Sequence, residues 1–420
     1  MARHHQILIV GGGSAGITVA ASLQNHAHGD ELDIAIIDPS SDHYYQPAFT
    51  LVGAGSYKLK DTRRDEARLI PDGVQWIQDS AVNIDPDDKK VGLSKGGEIT
   101  YDFLVVCPGL ICNWSSIEGL AENIGRNGVC SNYSPKHVEY TWESIKAFPR
   151  GGTALFTQPA MPIKCPGAPQ KIAYLMADYL RRGGILQDCN VHFLPQSPSM
   201  FGVPFFAREL AKIADDYGIH KHFHHNLTKI DGTRKRATFA VVGGDNEGQT
   251  IEMDYDLLHA VPPQGPLRVV KDSAVSNDSG WVDVHKHSMQ STKHPNVFSL
   301  GDACSTPNSK TAAAIRKQAP VVVRNLLALI HGGSIDEEGY DGYGSCPLTT
   351  AYGKVLMAEF TYGGKVTPTF ALDPRKERRS YWWIKRTGLP LMYWNYMLKG
   401  HEAFPEHNTD YNAPKQALRQ

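Results

Sequence analysis

Short apolar blocks alternate with a helix-like segment at the start of the chain. Residues 7–10 are uninterruptedly apolar, which is typical of a strand that is buried on both faces. Residues 17–23 mix apolar and small residues in a way that favours a helix, and residues 33–37 form a second apolar block. A strand, a helix and another strand in this order predict a parallel βαβ unit and therefore an α/β fold.

The turn between the first strand and the helix is rich in glycine and fits the pattern G-x-G-x-x-G. Gly11 permits a tight turn, Gly13 lets a pyrophosphate approach the backbone, and Gly16 lets the helix pack closely on the strand. The helix N-terminus then faces the phosphates, and Asp38, after the second strand, would accept a hydrogen bond from a ribose 2′-hydroxyl. In this context the pattern predicts a dinucleotide site. The predicted cofactor contacts in the turn are Gly11, Gly13, Ser14, Ala15 and Gly16.

Two later segments resemble parts of the flavoprotein reductases that have two dinucleotide-binding domains. Residues 296–302 form an apolar strand that ends in Gly-Asp, which resembles the second FAD fingerprint of that family. Residues 101–109 resemble the strand that returns toward the flavin. The resemblance implies that FAD is the cofactor, with Asp302 on its ribityl and phosphate side and Gly109 at the border of the flavin.

The segment after the Gly-Asp strand predicts a helix that starts near the flavin. Ser309, Lys310 and Thr311 precede a run of alanines, which makes a good helix start with little side-chain bulk. In the reductases this helix points its N-terminus at the flavin N1–C2=O edge, where the helix dipole stabilises the negative charge of reduced flavin. Lys310 and Thr311 are therefore predicted cofactor contacts, and Lys310 would add a positive charge; the alternative is a solvated loop lysine.

A second nucleotide-binding turn is expected near the middle of such a reductase, but here its sequence is altered. The expected strand (residues 153–157) and helix (residues 171–180) are present. Residues 158–170 between them contain four prolines and a cysteine where glycines would hold a pyrophosphate. Proline has no N–H to offer a phosphate. We therefore expect that the nicotinamide site has been replaced and that the electrons come from another donor.

Two cysteines stand out because each precedes a proline in a loop rich in glycine and proline: Cys165 and Cys346. Zinc would need more ligands at closer spacing, so no metal site is predicted, and the histidines of residues 220–225 are interpreted as a packed or solvated strand. Cys165 precedes a helix N-terminus, with Lys164 beside it and Lys171 after it, which favours the thiolate. From the residues alone, the alternative interpretation is that the two cysteines are unrelated buried thiols.

The composition of the chain bears on its number of domains, its type of partner and its location in the cell. The 420 residues indicate two to three domains, and 43 basic against 44 acidic residues exclude nucleic acid as the main partner, because phosphate neutralisation needs a basic excess. Seven cysteines do not make a disulfide scaffold, and their odd number leaves one thiol unpaired. We recognise neither a signal peptide nor an apolar stretch long enough to span a bilayer, and we expect a protein that starts in the cytosol.

The C-terminal part of the chain favours a membrane surface. Residues 380–399 hold three of the seven tryptophans, among leucine, methionine and basic residues. Because Trp and Tyr favour the bilayer interface, we interpret this segment as two short amphipathic helices, broken at residues 388–390, that dip into one leaflet. An aromatic helix–helix or dimer contact is the alternative. The predicted lining of a quinone pocket is Phe360, Tyr362 and Trp394.

Several strings of the sequence together resemble sulfide:quinone oxidoreductase, and within it the subgroup similar to the mitochondrial enzyme. The resemblance runs from about residue 6 to about residue 400. It implies that Cys165 and Cys346 are the redox-active pair of the family. The strings are residues 44–47, 51–55, 131–134, 162–171, 309–314 and 343–348.

The resemblance implies a chemistry for the cysteine pair. Hydrosulfide attacks a Cys165–Cys346 disulfide, or a sulfur-bridged form of it, and leaves a persulfide on one cysteine. The other thiolate attacks flavin C4a, and two electrons pass to FAD and then to ubiquinone or menaquinone. The sulfane sulfur leaves on sulfite, glutathione or another thiol. The persulfide is assigned to Cys346 and the attack on the flavin to Cys165, with the reverse assignment left open.

The same resemblance implies further cofactor contacts and a domain plan. Gln46 and Pro47 are expected near the isoalloxazine, and Val82 lies on the strand whose backbone is expected to contact adenine. The expected domains are an FAD-binding domain of residues 1–115 and 280–330, a second Rossmann-like domain of residues 116–279 without a functional NAD site, and a membrane- and quinone-facing region of residues 331–420.

The sequence predicts a location and leaves alternative functions to be tested. We expect a peripheral, monotopic protein on the cytoplasmic side of the inner membrane, and a homo-oligomer is left open. The first alternative function is an NADH:quinone reductase, which predicts flavin reduction by NADH. The second is a non-enzymatic redox sensor whose thiol pair switches a partner interface, which predicts slow turnover without quinone dependence. A flavocytochrome-type sulfide dehydrogenase is disfavoured because it would carry an export signal.

Overall fold

The computed structural model describes residues 3–27 and 31–402. Many of its helices are short, and the four longest have 13 to 19 residues. The α-helices of the described residues are α1 Ser14–His26, α2 Phe49–Gly53, α3 Leu59–Thr62, α4 Leu120–Asn123, α5 Val138–Lys146, α6 Ala168–Arg182, α7 Pro204–Tyr217, α8 Arg268–Lys271, α9 Ala312–Ile330, α10 Arg379–Trp383 and α11 Leu389–Asn395.

The strands of the described residues form two parallel or mostly parallel sheets and several smaller antiparallel ones. They are β1 Arg3–Val10, β2 Ile34–Ile37, β3 Asp42–Tyr44, β4 Arg63–Asp65, β5 Val74–Ile77, β6 Ala81–Asp85, β7 Lys90–Leu93, β8 Glu98–Val106, β9 Leu110–Cys112, β10 Val129–Cys130, β11 Thr153–Gln158, β12 Asn190–Pro195, β13 His220–Lys221, β14 His225–Asp231, β15 Arg236–Val241, β16 Thr250–Asp254, β17 Leu257–His259, β18 Gln264–Pro266, β19 Val297–Ser299, β20 Gly344–Ala351 and β21 Lys354–Phe360.

The first sheet contains the predicted βαβ unit. Its strand order is β5-β2-β1-β8-β7-β6, and β19 also pairs with β8. The central strand β1 pairs in parallel with β2 and β8, and its residues Ile7, Leu8 and Ile9 have no exposed surface. This burial is expected of a strand that is covered on both faces. The carboxyl ends of β1 and β2 meet at one edge of the sheet, which brings the glycine turn and Asp38 together.

The second sheet has the order β10-β17-β11-β12-β13, and its described pairings are all parallel. Strand β11 and helix α6 confirm the predicted strand and helix on either side of the altered turn. The helix begins at Ala168, three residues before the predicted start. Pro169 fits this first helical turn because its missing N–H has no partner there in any case. An antiparallel sheet of β14, β15 and β16 lies between β13 and β17 of the second sheet along the chain.

A C-terminal hairpin positions the second cysteine. Strands β20 and β21 pair in antiparallel fashion, and the hairpin packs against α6 and α9. Cys346 lies on β20, whereas Cys165 lies in the loop that leads into α6. Packing of the hairpin on α6 therefore brings the two cysteine-bearing segments together. The domain boundaries expected above stay a prediction.

The predicted break of the C-terminal helical segment is wrong. Helix α10, a π-helical turn at Ile384–Gly388 and helix α11 follow one another without interruption. Pro390 is tolerated because it lies in the first turn of α11, directly after the wider π-turn. No helix among residues 3–27 and 31–402 has the length and the hydropathy needed to cross a membrane.

The predicted histidine strand is divided into two pieces. His220 lies on β13 and His225 begins β14, with a turn between them in which His224 has a φ of +63°. His222 Nε2 lies 2.9 Å from Nδ1 of His192, so these rings contact one another. Within the described ranges, no group of three or more His, Cys, Asp or Glu side chains could hold a metal ion.

Replacement of Phe156 by alanine tests the packing of the second sheet. Phe156 on β11 is completely buried, so the change should lower the free energy of unfolding by about 3–5 kcal/mol. Urea denaturation followed by circular dichroism measures this loss. Val242→Ala is the control, because Val242 is 40 % exposed, and its effect should be about 0.5 kcal/mol or less. Equal stability of the two variants would contradict the packing described.

Candidate active site

The glycines of the turn after β1 have different surroundings. Gly11 has a φ of +109°, and a Cβ there would lie 2.5 Å from the carbonyl oxygen of Cys107. A Cβ on Gly16 would lie 1.9 Å from the carbonyl oxygen of Gly11, so α1 packs against the turn itself. A Cβ on Gly13 would meet nothing within 4 Å. Packing therefore requires Gly11 and Gly16, whereas Gly13 borders the open side from which a pyrophosphate would approach.

Two carboxylates lie against this turn. Asp38 accepts a hydrogen bond from the backbone nitrogen of Gly12 at 2.6 Å. Glu66 is 2 % exposed, and its Oε1 has no hydrogen-bond partner among the described residues. This oxygen would lie 2.8 Å from a Cβ on Gly12. Burial raises the pKa of Glu66, and the hydrogen bond with His43 opposes that rise.

A chain of hydrogen bonds joins the glycine turn to the C-terminal helical segment. Ser14 Oγ lies 2.6 Å from Tyr393 Oη, and Tyr393 Oη lies 2.5 Å from His43 Nε2. His43 Nδ1 lies 3.1 Å from Glu66 Oε2. The sequence prediction missed His43, Glu66 and Tyr393, because their local sequence has no pattern that marks them as part of a site.

One cavity collects many of the residues that were predicted to hold FAD. The predicted residues that line it are Ser14, Gln46, Pro47, Asp302, Lys310 and Thr311. Gly109, with a φ of +81°, follows β8 and does not line the cavity. Val82 lies where β6 is irregularly paired, and its side chain is 55 % exposed. The cofactor roles of all these residues stay predictions.

Lys310 is not a solvated loop lysine. It is 6 % exposed, and its Nζ donates hydrogen bonds to the carbonyl oxygens of Asp302 and Cys304 at 2.8 and 2.9 Å. Burial lowers its pKa. The hydroxyl of Thr311 accepts a hydrogen bond from the Ala314 nitrogen at 3.2 Å and caps α9, so the helix begins where it was predicted to begin. The first residues of α9 line the cavity.

These features fit FAD. The turn is open at Gly13, and a buried carboxylate oxygen of Glu66 lacks a hydrogen-bond partner among the described residues. The N-terminus of α9 borders the cavity that Ser14 also lines. A ribose supplies hydroxyl donors for carboxylates, and a helix N-terminus stabilises negative charge. When bound, FAD supplies a two-electron acceptor.

Cys165 and Cys346 lie together although 181 residues separate them. Their Sγ atoms are 4.0 Å apart, and both are free thiols in this structure. Cys165 has a φ of +49°, a left-handed conformation that is uncommon for a residue with a side chain and that recurs at functional sites. A Cβ on Gly167 would lie 2.5 Å from the Cys346 sulfur, so only glycine permits this approach.

Lys171 supplies positive charge beside the sulfur atoms. It is 2 % exposed, and its Nζ donates a hydrogen bond to Cys165 Sγ at 3.2 Å. A hydrogen bond from Cys346, together with the charges of Lys171 and Lys385, holds the pKa of Cys165 well below its usual range despite burial. The hydrogen bond to Cys165 and burial raise the pKa of Cys346. The hydrogen bond from Lys171 therefore favours the thiolate form at Cys165.

Lys385 is a site residue that the sequence prediction missed. It belongs to the π-helical turn and is 4 % exposed, and it lines the cavity together with Cys165 and Lys171. Burial and the charge of Lys171 lower the pKa of Lys385 to about 7. The only signal in the sequence was a basic residue inside an aromatic helix, which is also the pattern of a solvated face.

The backbone of the altered turn is bound to protein atoms. The Lys164 nitrogen donates to Gln264 Oε1, and the Cys165 nitrogen donates to the Lys310 carbonyl oxygen, each at 2.8 Å. The Lys164 ammonium donates to Gln46 Oε1 at 2.8 Å. Two backbone donors of the turn are thus engaged with protein atoms and unavailable to a pyrophosphate, which favours the predicted replacement of the nicotinamide site by the cysteine pair.

The three residues predicted to line a quinone pocket, Phe360, Tyr362 and Trp394, do not line this cavity, and their quinone role stays a prediction. Phe360 packs in the core beneath the second sheet, with its ring 5.8 Å from that of Phe201. Tyr362 donates its hydroxyl hydrogen to a backbone carbonyl, and Trp394 packs against the ring of His43. Instead, the apolar wall of the cavity includes Phe370, Ile384, Leu389, Met392 and Met397.

Two glycine variants separate cofactor binding from packing. Gly13→Ala should leave the fold intact and weaken FAD binding at least about tenfold, because a methyl group would stand where the pyrophosphate approaches. Gly16→Ala should also destabilise the protein without FAD, since its Cβ would overlap the Gly11 carbonyl oxygen. Flavin content after gel filtration and thermal unfolding of the apoprotein measure the two effects. Normal flavin content in Gly13→Ala would contradict the assignment.

Removal of the Lys171 charge should raise the pKa of Cys165. The Lys171→Gln variant loses the ammonium that stabilises the thiolate, so the midpoint for alkylation of Cys165 should rise by about one to two pH units. The rate of alkylation by iodoacetamide is followed against pH in the reduced protein, by mass spectrometry of the Cys165 peptide. Lys212→Gln, on the exposed face of α7, is the control and should leave the midpoint unchanged. An unchanged midpoint in Lys171→Gln would refute this role.

The sequence is similar to known oxidoreductases. A family model described as pyridine nucleotide-disulphide oxidoreductase matches residues 5–137. The chain is 44 % identical over 396 residues to the mitochondrial sulfide:quinone oxidoreductase of Dictyostelium discoideum, covering 94 % of this chain and 86 % of that protein. It is 39 % identical over 402 residues to the mitochondrial sulfide:quinone oxidoreductase of Mus musculus, covering 96 % and 88 %.

The fold has a counterpart among solved structures. The X-ray structure of the sulfide:quinone oxidoreductase from Aquifex aeolicus aligns with a TM-score of 0.77 and 20 % identity, over 96 % of this chain and 93 % of that one. At this low identity the structural similarity shows the fold alone. The two mitochondrial relatives show the family, because they are 44 % and 39 % identical over nearly the whole chain. The chain therefore belongs to the sulfide:quinone oxidoreductase family of FAD-dependent enzymes.

Proposed function

We propose that this enzyme oxidises hydrosulfide at Cys165 and Cys346. The family uses FAD and takes sulfide and quinone as substrates. The observation that carries the proposal is the 4.0 Å separation of the two sulfur atoms at a cavity that also contains the flavin-site residues. Two sulfur atoms this close are within reach of a disulfide, or of a bridge that contains an additional sulfur atom, after a small movement of the side chains. Formation of the disulfide releases two protons and two electrons.

The charge pattern assigns a role to each sulfur. Hydrosulfide attacks the Cys346 sulfur of a Cys165–Cys346 disulfide; the bond between the cysteines breaks, Cys346 keeps a persulfide, and Cys165 leaves as a thiolate. The thiol of lower pKa leaves faster, and the Lys171 ammonium stabilises the thiolate that forms on Cys165. Cys165 lines the cavity, which favours it as the thiolate that faces the cofactor. The reverse assignment would place the leaving thiolate on the cysteine of raised pKa.

A small nucleophile removes the sulfane sulfur. It attacks the outer sulfur of the Cys346 persulfide and leaves Cys346 as a thiolate. The two thiolates then form their bond again and lose two electrons, which FAD, when bound, would accept and pass on to quinone. The buried ammonium group of Lys171 favours an anionic acceptor at this site. We propose sulfite, glutathione or another small thiol as this acceptor.

The C-terminal helical segment provides the membrane contact and the path for quinone. Its exposed apolar side chains are Trp383, Leu391 and Tyr396, at 62 %, 54 % and 54 % exposure, and Trp and Tyr favour the bilayer interface. From the same segment Ile384, Leu389 and Met392 line the apolar wall of the cavity. We propose that ubiquinone or menaquinone enters along this wall and that the protein sits peripherally on the cytoplasmic side of the inner membrane.

Anaerobic spectroscopy tests the proposed function. Excess sulfide, which also serves as the nucleophile that removes the sulfane sulfur, should bleach the flavin absorbance of the wild-type enzyme. A short-chain ubiquinone should restore it, and NADH should have no effect. Cys165→Ser and Cys346→Ser should each lose sulfide-driven bleaching by at least about a hundredfold in rate, since either change prevents the bridge. Cys189→Ser, at a half-buried position away from the pair, is the control. Bleaching by NADH and indifference to sulfide would move the protein to the NADH:quinone class.

A further inference from the structure

A basic groove lies outside the active-site cavity. It runs between the C-terminal ends of α6 and α7, the tip of the β20–β21 hairpin and residues 375–379, which lead into α10. Its volume is about 560 Å³, and it shares no lining residue with the cavity that contains the cysteine pair. Seven of its lining residues are lysine or arginine and four are aspartate or glutamate. The groove therefore carries an excess of positive charge.

Ion pairs inside the groove leave two cations without a partner. Each of the four carboxylates binds one basic side chain of the groove, at N–O distances from 2.8 to 3.6 Å. Arg375 binds Asp373, just outside the groove, at 2.9 Å. Lys376 and Arg379 are exposed, and neither has a carboxylate within ion-pair distance among residues 3–27 and 31–402. Their charges are available to an anion.

The unpaired cations lie beside the apolar surface of the C-terminal segment. Arg379 begins α10, and Trp383 follows four residues later, so both side chains lie on the same face of the helix. Trp383 is 62 % exposed, and Leu372, which precedes the groove along the chain, is 41 % exposed. A ligand that extends from the groove over this face of α10 would contact the cationic side chains at one end and the exposed Trp383 at the other.

We propose that this groove binds the phosphate-bearing headgroup of an anionic phospholipid, with Lys376 and Arg379 as its cationic contacts. This inference rests on the membrane contact proposed above and adds a lipid preference to it. An anionic lipid combines a negatively charged headgroup with apolar chains, which matches cations and an exposed tryptophan on one face. A small soluble phosphate would use the cations alone. Lipid bound here would hold the start of α10 against the membrane and so fix the orientation of the quinone path.

Vesicle binding of the FAD-loaded enzyme tests the proposal. One set of vesicles contains phosphatidylcholine only, and the other contains phosphatidylcholine and phosphatidylglycerol. Each basic side chain near an anionic surface strengthens binding about fivefold, so Lys376→Gln/Arg379→Gln should bind the anionic vesicles about 25-fold more weakly than wild type. Its binding to phosphatidylcholine and its reduction by sulfide should be unchanged. Lys95→Gln/Lys271→Gln removes the same charge from exposed positions outside the groove and should behave as wild type.

The outcomes distinguish the lipid site from the membrane contact on which it rests. Trp383→Ala should weaken binding to both kinds of vesicle; unaltered binding to both would refute the membrane contact itself. Equal anionic preference in the groove variant and the control variant would overturn the lipid site even when the membrane contact holds. Inorganic phosphate should reduce binding of the enzyme to the anionic vesicles no more than chloride does at equal ionic strength. Selective competition by phosphate would make this a site for a free anion and would also overturn the proposal.

Discussion

A buried ammonium group beside a sulfur atom is the constraint on which the rest of the active site depends. Lys171 is 2 % exposed, and its nearest acceptor is the sulfur of Cys165 at 3.2 Å. A buried charge without a partner is strongly destabilising, so the ammonium and the thiolate stabilise each other. The left-handed conformation of Cys165, the glycine at position 167 and the packing of the hairpin on α6 all serve this arrangement, because each is needed for two sulfurs and one ammonium to meet.

The C-terminal helical segment joins three parts of the enzyme in one element. Its π-turn places Lys385 beside the cysteine pair, its apolar residues line the cavity, and Tyr393 contacts Ser14 of the glycine turn. A π-turn inside a helix shifts the side chains that follow it, and such turns recur at functional sites. The same element exposes Trp383 on the opposite side. The surface proposed to contact the membrane therefore belongs to the same helical segment as the residues that lie at the sulfur site and at the glycine turn.

Local patterns were predictable from the sequence, whereas contacts made by the tertiary fold were not. The glycine turn, Asp38 and the start of α9 were predicted because backbone conformation and helix capping depend on neighbouring residues. The pairing of Cys165 with Cys346 came only from the family resemblance, since no local rule relates residues 181 positions apart. Glu66 and Lys385 were missed for the same reason: their roles arise from burial against other elements.

The error about the C-terminal helical segment has a physical cause. Gly388 and Pro390 predicted a break, but a π-turn accommodates a proline in the first turn of the next helix. Phe360 was predicted to line a quinone pocket because it is aromatic and ends a strand, and that role stays a prediction. Its side chain packs against Phe201, whereas residues of the following helical segment form the apolar wall of the cavity.

Peptide mapping of the sulfur atoms tests the central claim most directly. The resting, oxidised enzyme is digested under conditions that prevent thiol exchange, before and after addition of one equivalent of sulfide without an acceptor. The account predicts a cross-linked Cys165–Cys346 peptide before sulfide, and one added sulfur atom on the Cys346 peptide with an alkylatable Cys165 afterwards. Free, alkylatable Cys165 and Cys346 in the resting active enzyme, or the added sulfur on any other cysteine, would contradict it.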